Sequence, residues 1–311
     1  MWPILMLQAA MAGSNGDVPE RLYDAAPSDG RTQYFEALFS GDYDALDPII
    51  DVLQRESADG DTTSTAVLGF AHGWRLSEFS RAPDPSVVQH AQKAVDTFEI
   101  AIRASPHDSR LLGFQGAFRQ AVGSIEGRAS DQRKGWFETK RSTRRWPEWG
   151  AFTQAYGLVS LDPSHRLYPK AIELMWLTLD ECSDTTVPRQ DLDWLAHSAV
   201  HPSVDEWDTR ACLNTDVVEH NLEGFFLVFG DLYAKAGDVD KAKMMYDNAL
   251  GIDPDATWPF RFVAQERLDA LSSLPARFAN QPAQVPSADP TQNLVFNGPI
   301  SCAVCHQRSS P

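Results

Sequence analysis

The chain has 311 residues, 43% hydrophobic and 23% charged, enough to bury a core as one long domain or two shorter ones. Forty-three acidic against 27 basic residues give a formal charge of −16, which disfavours nucleic acid, whose phosphates call for Lys and Arg. No apolar run is long enough for a membrane span, and the acidity suits either solubility or a basic partner.

Met1 to Ala12 read as part of a secretory signal. Trp2 to Met6 is apolar, and Ala10-Met11-Ala12 has the small-x-small form of a cleavage site ahead of Gly13. No Lys or Arg precedes the apolar run, and the run is short. Either the signal is partial or the segment is an ordinary apolar terminus; the expectation is a partial signal and export.

From about Gln33 to Arg277 the pattern is helix after helix. Segments 44–55, 87–102 and 222–236 repeat apolar residues at helical spacing, and no alternating strand pattern of comparable length occurs. Pro-bearing turns at Pro83-Asp84-Pro85, Ser105-Pro106 and Asp162-Pro163 punctuate them. The expected fold is all-α, with residues 13–277 as the helical domain.

Within this body, Arg141, Arg144 and Arg145 form a basic run beside Trp146 and Trp149. It reads as a contact for an anion or partner, or as a solvated helix end with aromatic packing; the second is the commoner arrangement. Cys182 and Cys212 flank an irregular stretch rich in Pro, Asp and Thr. In an oxidising compartment they are a disulfide candidate, worth roughly 3–4 kcal/mol in the chain-entropy account; otherwise they are two separate buried thiols.

Between Leu222 and Pro254 a further pattern appears on Phe226, Phe229-Gly230, Tyr233, Gly237, Ala242, Tyr246, Ala249-Leu250 and Pro254. Gly230, Ala242 and Ala249 are small enough for two helices to approach closely. Phe226, Tyr233 and Tyr246 fill the space around that contact, Gly237 suits the turn, and Pro254 ends the second helix. The segment resembles the tetratricopeptide repeat (TPR), a helix–turn–helix unit. A weaker echo lies upstream, with Leu68-Gly69 in a first helix and Ala94, Phe98, Ala101-Ile102 and Pro106 in a second. The resemblance implies an α-solenoid of antiparallel helix pairs, with degenerate pairs around the good one and protein–protein contacts through the helices.

Residues 278–299 contain four prolines and no helical periodicity, so 278–311 is expected to be an extended tail. It leads to Cys302-Ala303-Val304-Cys305-His306, two thiols three positions apart with an imidazole next to the second. This matches the CxxCH signature and resembles the haem-attachment site of c-type cytochromes. The resemblance implies one covalent haem c, with Cys302 and Cys305 joined to its vinyl groups through thioethers and His306 as proximal iron ligand. Three other readings compete. A dithiol redox centre normally opens a helix in a βαβ setting, no second CxxC or HxxxH follows the motif to complete a zinc site, and the tail motif can be fortuitous.

A sixth iron ligand decides between electron transfer and small-ligand chemistry. Residues 307–311 contain neither His nor Met, so the candidates come from the helical body: His197, His201, His220, Met244 and Met245. An open or water-filled position is the alternative. No Gly-rich phosphate loop, G-x-S-x-G elbow or HExxH motif occurs, and no catalytic residue is nominated. The leading expectation is an exported, periplasmic or extracellular mono-haem c-type cytochrome-like protein. It would transfer electrons to redox partner proteins, with the solenoid as scaffold and docking surface. The alternatives are a TPR-type interaction module with a structural or sensory haem, and a peroxidase-like haem enzyme with an open distal site.

Overall fold

The computed structural model describes residues 28–78, 86–159, 161–201, 220–252 and 258–279. Thirteen α-helices and two short 3-10 turns, with no strand, make up the secondary structure among the described residues. The fold is therefore all-α, as the periodicity predicts, and its helices pack in neighbouring pairs in a solenoid-like succession. They fall into two compact units, the first closing at Trp146 and the second opening at Pro147. No helix among the described residues is long and apolar enough to cross a membrane. The expected signal segment and most of the expected tail lie outside the described residues.

The first unit contains α1 (Asp29–Ser40), α2 (Leu46–Ala58), α3 (Thr62–Ser77), α4 (Val87–Ala104), α5 (Ser109–Ile125) and α6 (Ala129–Thr143). Each packs against the next. In α2 the buried Leu46, Ile49, Ile50 and Leu53 recur at the spacing that makes one apolar face. Asp61 caps α3 by accepting the Ser64 N–H, and Asp108 caps α5 through the Arg110 N–H. Glu56 ties the first three helices together. Its carboxylate accepts from the Gly30 N–H at 2.8 Å, the Ser28 hydroxyl at 2.8 Å and the Ser64 hydroxyl at 2.7 Å. Arg31 pairs with Asp61 at 2.6 Å alongside.

Glycine sets the helix spacing in this unit. A methyl group on Gly69 of α3 would lie 2.9 Å from the Phe98 ring of α4. On Gly135 of α6 it would lie 2.4 Å from the Gly116 carbonyl oxygen of α5, so there the two backbones touch.

The second unit contains α7 (Pro147–Leu158), α8 (Tyr168–Ser183), α9 (Trp194–Val200), α10 (Asn221–Ala236), α11 (Val239–Ile252), α12 (Arg261–Asp269) and α13 (Leu274–Ala279). Helix α10 is buried on all sides, with α8, α11 and α13 among its neighbours, which is why its sequence is apolar nearly all round. It ends at Gly237, whose φ of +86° belongs to the left-handed region that glycine enters without strain. The TPR-like segment corresponds to α10 and α11. Phe226, Phe229, Tyr233, Ala242, Tyr246 and Ala249 are all buried, while Pro254 lies outside the described residues.

A fully buried ion pair crosses this unit. Arg267 of α12 donates from Nε to Asp231 of α10 at 3.0 Å, and the Tyr246 hydroxyl of α11 donates to the same Asp231 oxygen at 2.8 Å. The Arg267 guanidinium also lies over the Phe278 ring of α13, 5.0 Å from its centroid. Burial, with Asp231 next in weight, pushes the Tyr246 hydroxyl well above its ordinary pKa, so it stays a donor.

Candidate functional site

The segment between α8 and α9 carries several of the sequence-nominated residues. Helix α8 ends at Asp184 in the left-handed conformation, φ 47°. Arg189 folds back to make a two-pronged pair with Asp180, one prong at 2.8 Å, and Asp180 also accepts the Val187 N–H. Cys182, buried on α8, is engaged in a disulfide. Cys212, the expected partner, lies outside the described residues.

Helix α9 is then docked on α11 by one amide. The Trp194 N–H donates to the Asn248 side-chain oxygen at 2.7 Å, and the Asn248 amide group donates to the Leu192 and Met244 carbonyls, each at 2.8 Å. Asp193 caps the helix through the Ala196 N–H. This anchoring fixes His197. Its ring lies 5.9 Å from Trp194 and 4.8 Å from His201, centroid to centroid. His197 Nε2 is buried and has no hydrogen-bond partner among the described residues. Burial, followed by the neighbouring His201, holds the His197 pKa below its ordinary value despite the opposing pull of Asp180. The ring is therefore neutral at physiological pH, the form in which an imidazole ligates a metal.

The other nominated ligands are placed differently. Met244 Sδ accepts the Leu192 N–H at 3.2 Å, and Met245 is fully buried in the core. His220 Nδ1 lies 3.5 Å from Glu223. His201 is exposed beside His197. Of the five, His197 combines a fixed ring with an unpartnered nitrogen. The attachment residues Cys302, Cys305 and His306 lie outside the described residues. No cluster of three or more His, Cys, Asp or Glu side chains arranged for a metal ion occurs among the described residues.

No protein-family model, curated protein or solved structure matches this chain. Its function must therefore be read from its own residues.

Two groupings escaped the sequence reading. His72 of α3 and His90 of α4 face each other with Nδ1 atoms 3.0 Å apart, so one imidazole donates to the other. Burial, then the charges of His90, Lys93 and Arg75, push His72 down to about 3. The two sit 18 residues apart on different helices, and only helix pairing brings them together. The second extends the basic run named in the sequence back along α6, which ends at Thr143. Trp146 and Trp149 are buried, as the aromatic-packing account of the basic run requires. The arginines beside them belong to a longer exposed array with Arg133, Lys134 and Phe137, whose signal is helical spacing rather than adjacency.

Proposed function

We propose that this chain is an exported mono-haem c-type cytochrome-like protein that transfers electrons, with its helices as scaffold and docking surface. The observation that carries the reading is the CxxCH spacing of Cys302, Cys305 and His306. That donor set suits the group: two thiols in reach of two vinyl groups, and an imidazole placed for the iron. Covalent haem supplies one-electron redox chemistry when bound. Cys302 and Cys305 would hold it through thioethers, and His306 would provide the proximal nitrogen. Among the described residues, the unpartnered Nε2 of His197 makes that residue the candidate for the sixth position. The disulfide at Cys182 fits an oxidising compartment and hence export.

The test is a pyridine haemochrome spectrum with intact mass, on chain exported through a working haem-maturation system. One covalent haem per chain is expected; unmodified mass with no haem stain overturns the reading. His197→Ala is expected to retain the covalent haem and to bind carbon monoxide or cyanide where the parent does not. Ligand binding unchanged from the parent removes His197 from the sixth position and leaves the attachment intact.

The helix-pair architecture favours one second reading, a TPR-type interaction module whose haem is structural or sensory. A reversible one-electron midpoint without exogenous ligand binding separates electron transfer from that alternative.

A further inference from the structure

The strongest unassigned feature of the surface is the outward side of α6. Its inward side is fixed by the Gly116–Gly135 contact, by the Gln120 amide donating to the Thr139 hydroxyl at 3.1 Å, and by the Ser142 hydroxyl donating to the Ser109 carbonyl at 2.6 Å. The side of the helix opposite that seam is turned to solvent. Phe137 stands at the centre of the outward side, 64% exposed. Arg133 and Lys134 lie one turn before it, Lys140 and Arg141 one turn after, and Arg144 and Arg145 follow at the helix end; all six are exposed.

None of these six cations makes an ion pair or side-chain hydrogen bond among the described residues. The two acids of the helix are already engaged elsewhere, Asp131 by Arg128 at 2.9 Å and Glu138 by Arg119 at 2.8 Å. Four of the six, Lys140, Arg141, Arg144 and Arg145, cluster at the C-terminal end of the helix.

The setting sharpens the point. Residues 133–145 hold six of the chain's 27 basic residues against Glu138 alone, a local +5 in a chain of −16, so everything else together carries −21. A single exposed aromatic ringed by unpaired cations, on an otherwise acidic protein, is the composition of a recognition surface: an apolar anchor with an electrostatic rim.

We propose that this ridge docks an acidic polypeptide segment carrying an apolar side chain, with Phe137 as anchor and the six cations as its charged rim. Charge complementarity selects the occupant. From Arg133 to Arg144 the ridge runs about 16 Å along the helix, the span of roughly five extended residues. A short segment meets only the ridge. A flat anionic bilayer or a nucleic acid would be opposed by the chain's net charge of −16. The outward side also offers one aromatic rather than the apolar stripe by which an interfacial helix enters lipid. The inference does not depend on the haem reading.

The test uses the full chain and a short fluorescein-labelled peptide of Glu and Asp with one central Leu, followed by fluorescence anisotropy across a salt series. Saturable binding that weakens with salt is expected. The triple variant Lys140→Glu/Arg141→Glu/Arg144→Glu should weaken it by about tenfold or more. Phe137→Ala should weaken it by several fold while leaving the salt dependence unchanged. Both changes lie on the exposed side, and an unaltered circular dichroism melt verifies that the fold persists. Absence of saturable peptide binding overturns the proposal, as does equal binding by the charge-reversed variant. Tighter partition onto phosphatidylglycerol vesicles than onto the peptide overturns it in favour of a lipid surface.

Discussion

The pair α5–α6 in the first unit and the pair α10–α11 in the second both close on a glycine, yet the glycine faces a different neighbour in each. At Gly135 the obstacle to a side chain is the Gly116 carbonyl, part of the facing backbone. At Gly230 it is the Tyr246 ring, which a methyl group would approach to 2.3 Å. A ring can in principle turn aside where a backbone cannot. Tyr246, however, is held by its hydroxyl on Asp231, which Arg267 also binds. The first pair is thus limited first by main chain, and the second by a side chain that a buried charge network immobilises. Close helix approach rests on backbone geometry in one pair and on a tethered side chain in the other.

The largest effect is expected from breaking that network. Arg267→Met leaves Asp231 charged in a fully buried site and should cost about 3–5 kcal/mol, read from chemical denaturation. A loss below about 1 kcal/mol would mean that Asp231 is not left as an uncompensated buried charge and that the network does not stabilise this unit. Next, Gly135→Ala should cost the upper part of the roughly 1–3 kcal/mol range for overpacking, because the helices themselves must separate. Gly230→Ala should cost somewhat less in the wild-type background. In the Tyr246→Phe background its additional cost should shrink, since the ring has lost the hydroxyl that tethers it to Asp231; a double-mutant cycle in melting experiments measures that coupling. Purely additive costs would show that the ring's tether plays no part.

The smallest effect concerns the first unit and sharpens the comparison through pH. Burial opposes the charge on Glu56, but the Ser64, Gly30 and Ser28 hydrogen bonds and the Arg31 charge outweigh it, holding its carboxyl below the ordinary 4.5. Asp61 is likewise lowered from 3.8, with burial again overcome by the Ser64 N–H and Arg31. A folded-state pKa below the unfolded one stabilises above the ordinary carboxylate range and loses that contribution as pH falls through it. Glu56→Gln should therefore cost about 1 kcal/mol at neutral pH and progressively less below pH 4.5, in melts recorded across that interval. A difference independent of pH would show that Glu56 acts through shape alone.

Much of the helical framework was legible from residue spacing. The apolar repeats at 87–102 and 222–236 became α4 and α10, and turns fall at Ser105 and around Asp162-Pro163 as the prolines require. The small residues and aromatics of the TPR-like segment are buried because helical spacing directly encodes which side faces a neighbour. Arg267 and Asp231 were not legible, since periodicity marks apolar faces and assigns charged residues to solvent. Their pairing depends on helices that meet only in three dimensions. The same limit applies to the nominated ligands. Sequence named His197 and Met244 alike, but only the fold shows one with an unpartnered nitrogen and the other with its sulfur occupied by a backbone N–H. The haem-attachment triplet stands on its spacing in the sequence.

The anchoring of α9 has a chemical consequence of its own. Asn248 accepts from one backbone amide and gives its two hydrogens to two carbonyls, so its nitrogen and oxygen are not interchangeable. Spontaneous deamidation replaces that nitrogen with a second oxygen. The Leu192 and Met244 carbonyls would then confront a carboxylate instead of a donor, while the Trp194 contact survived. A single ageing event on α11, silent in a melting curve dominated by the core, would loosen the short helix that holds His197 in place.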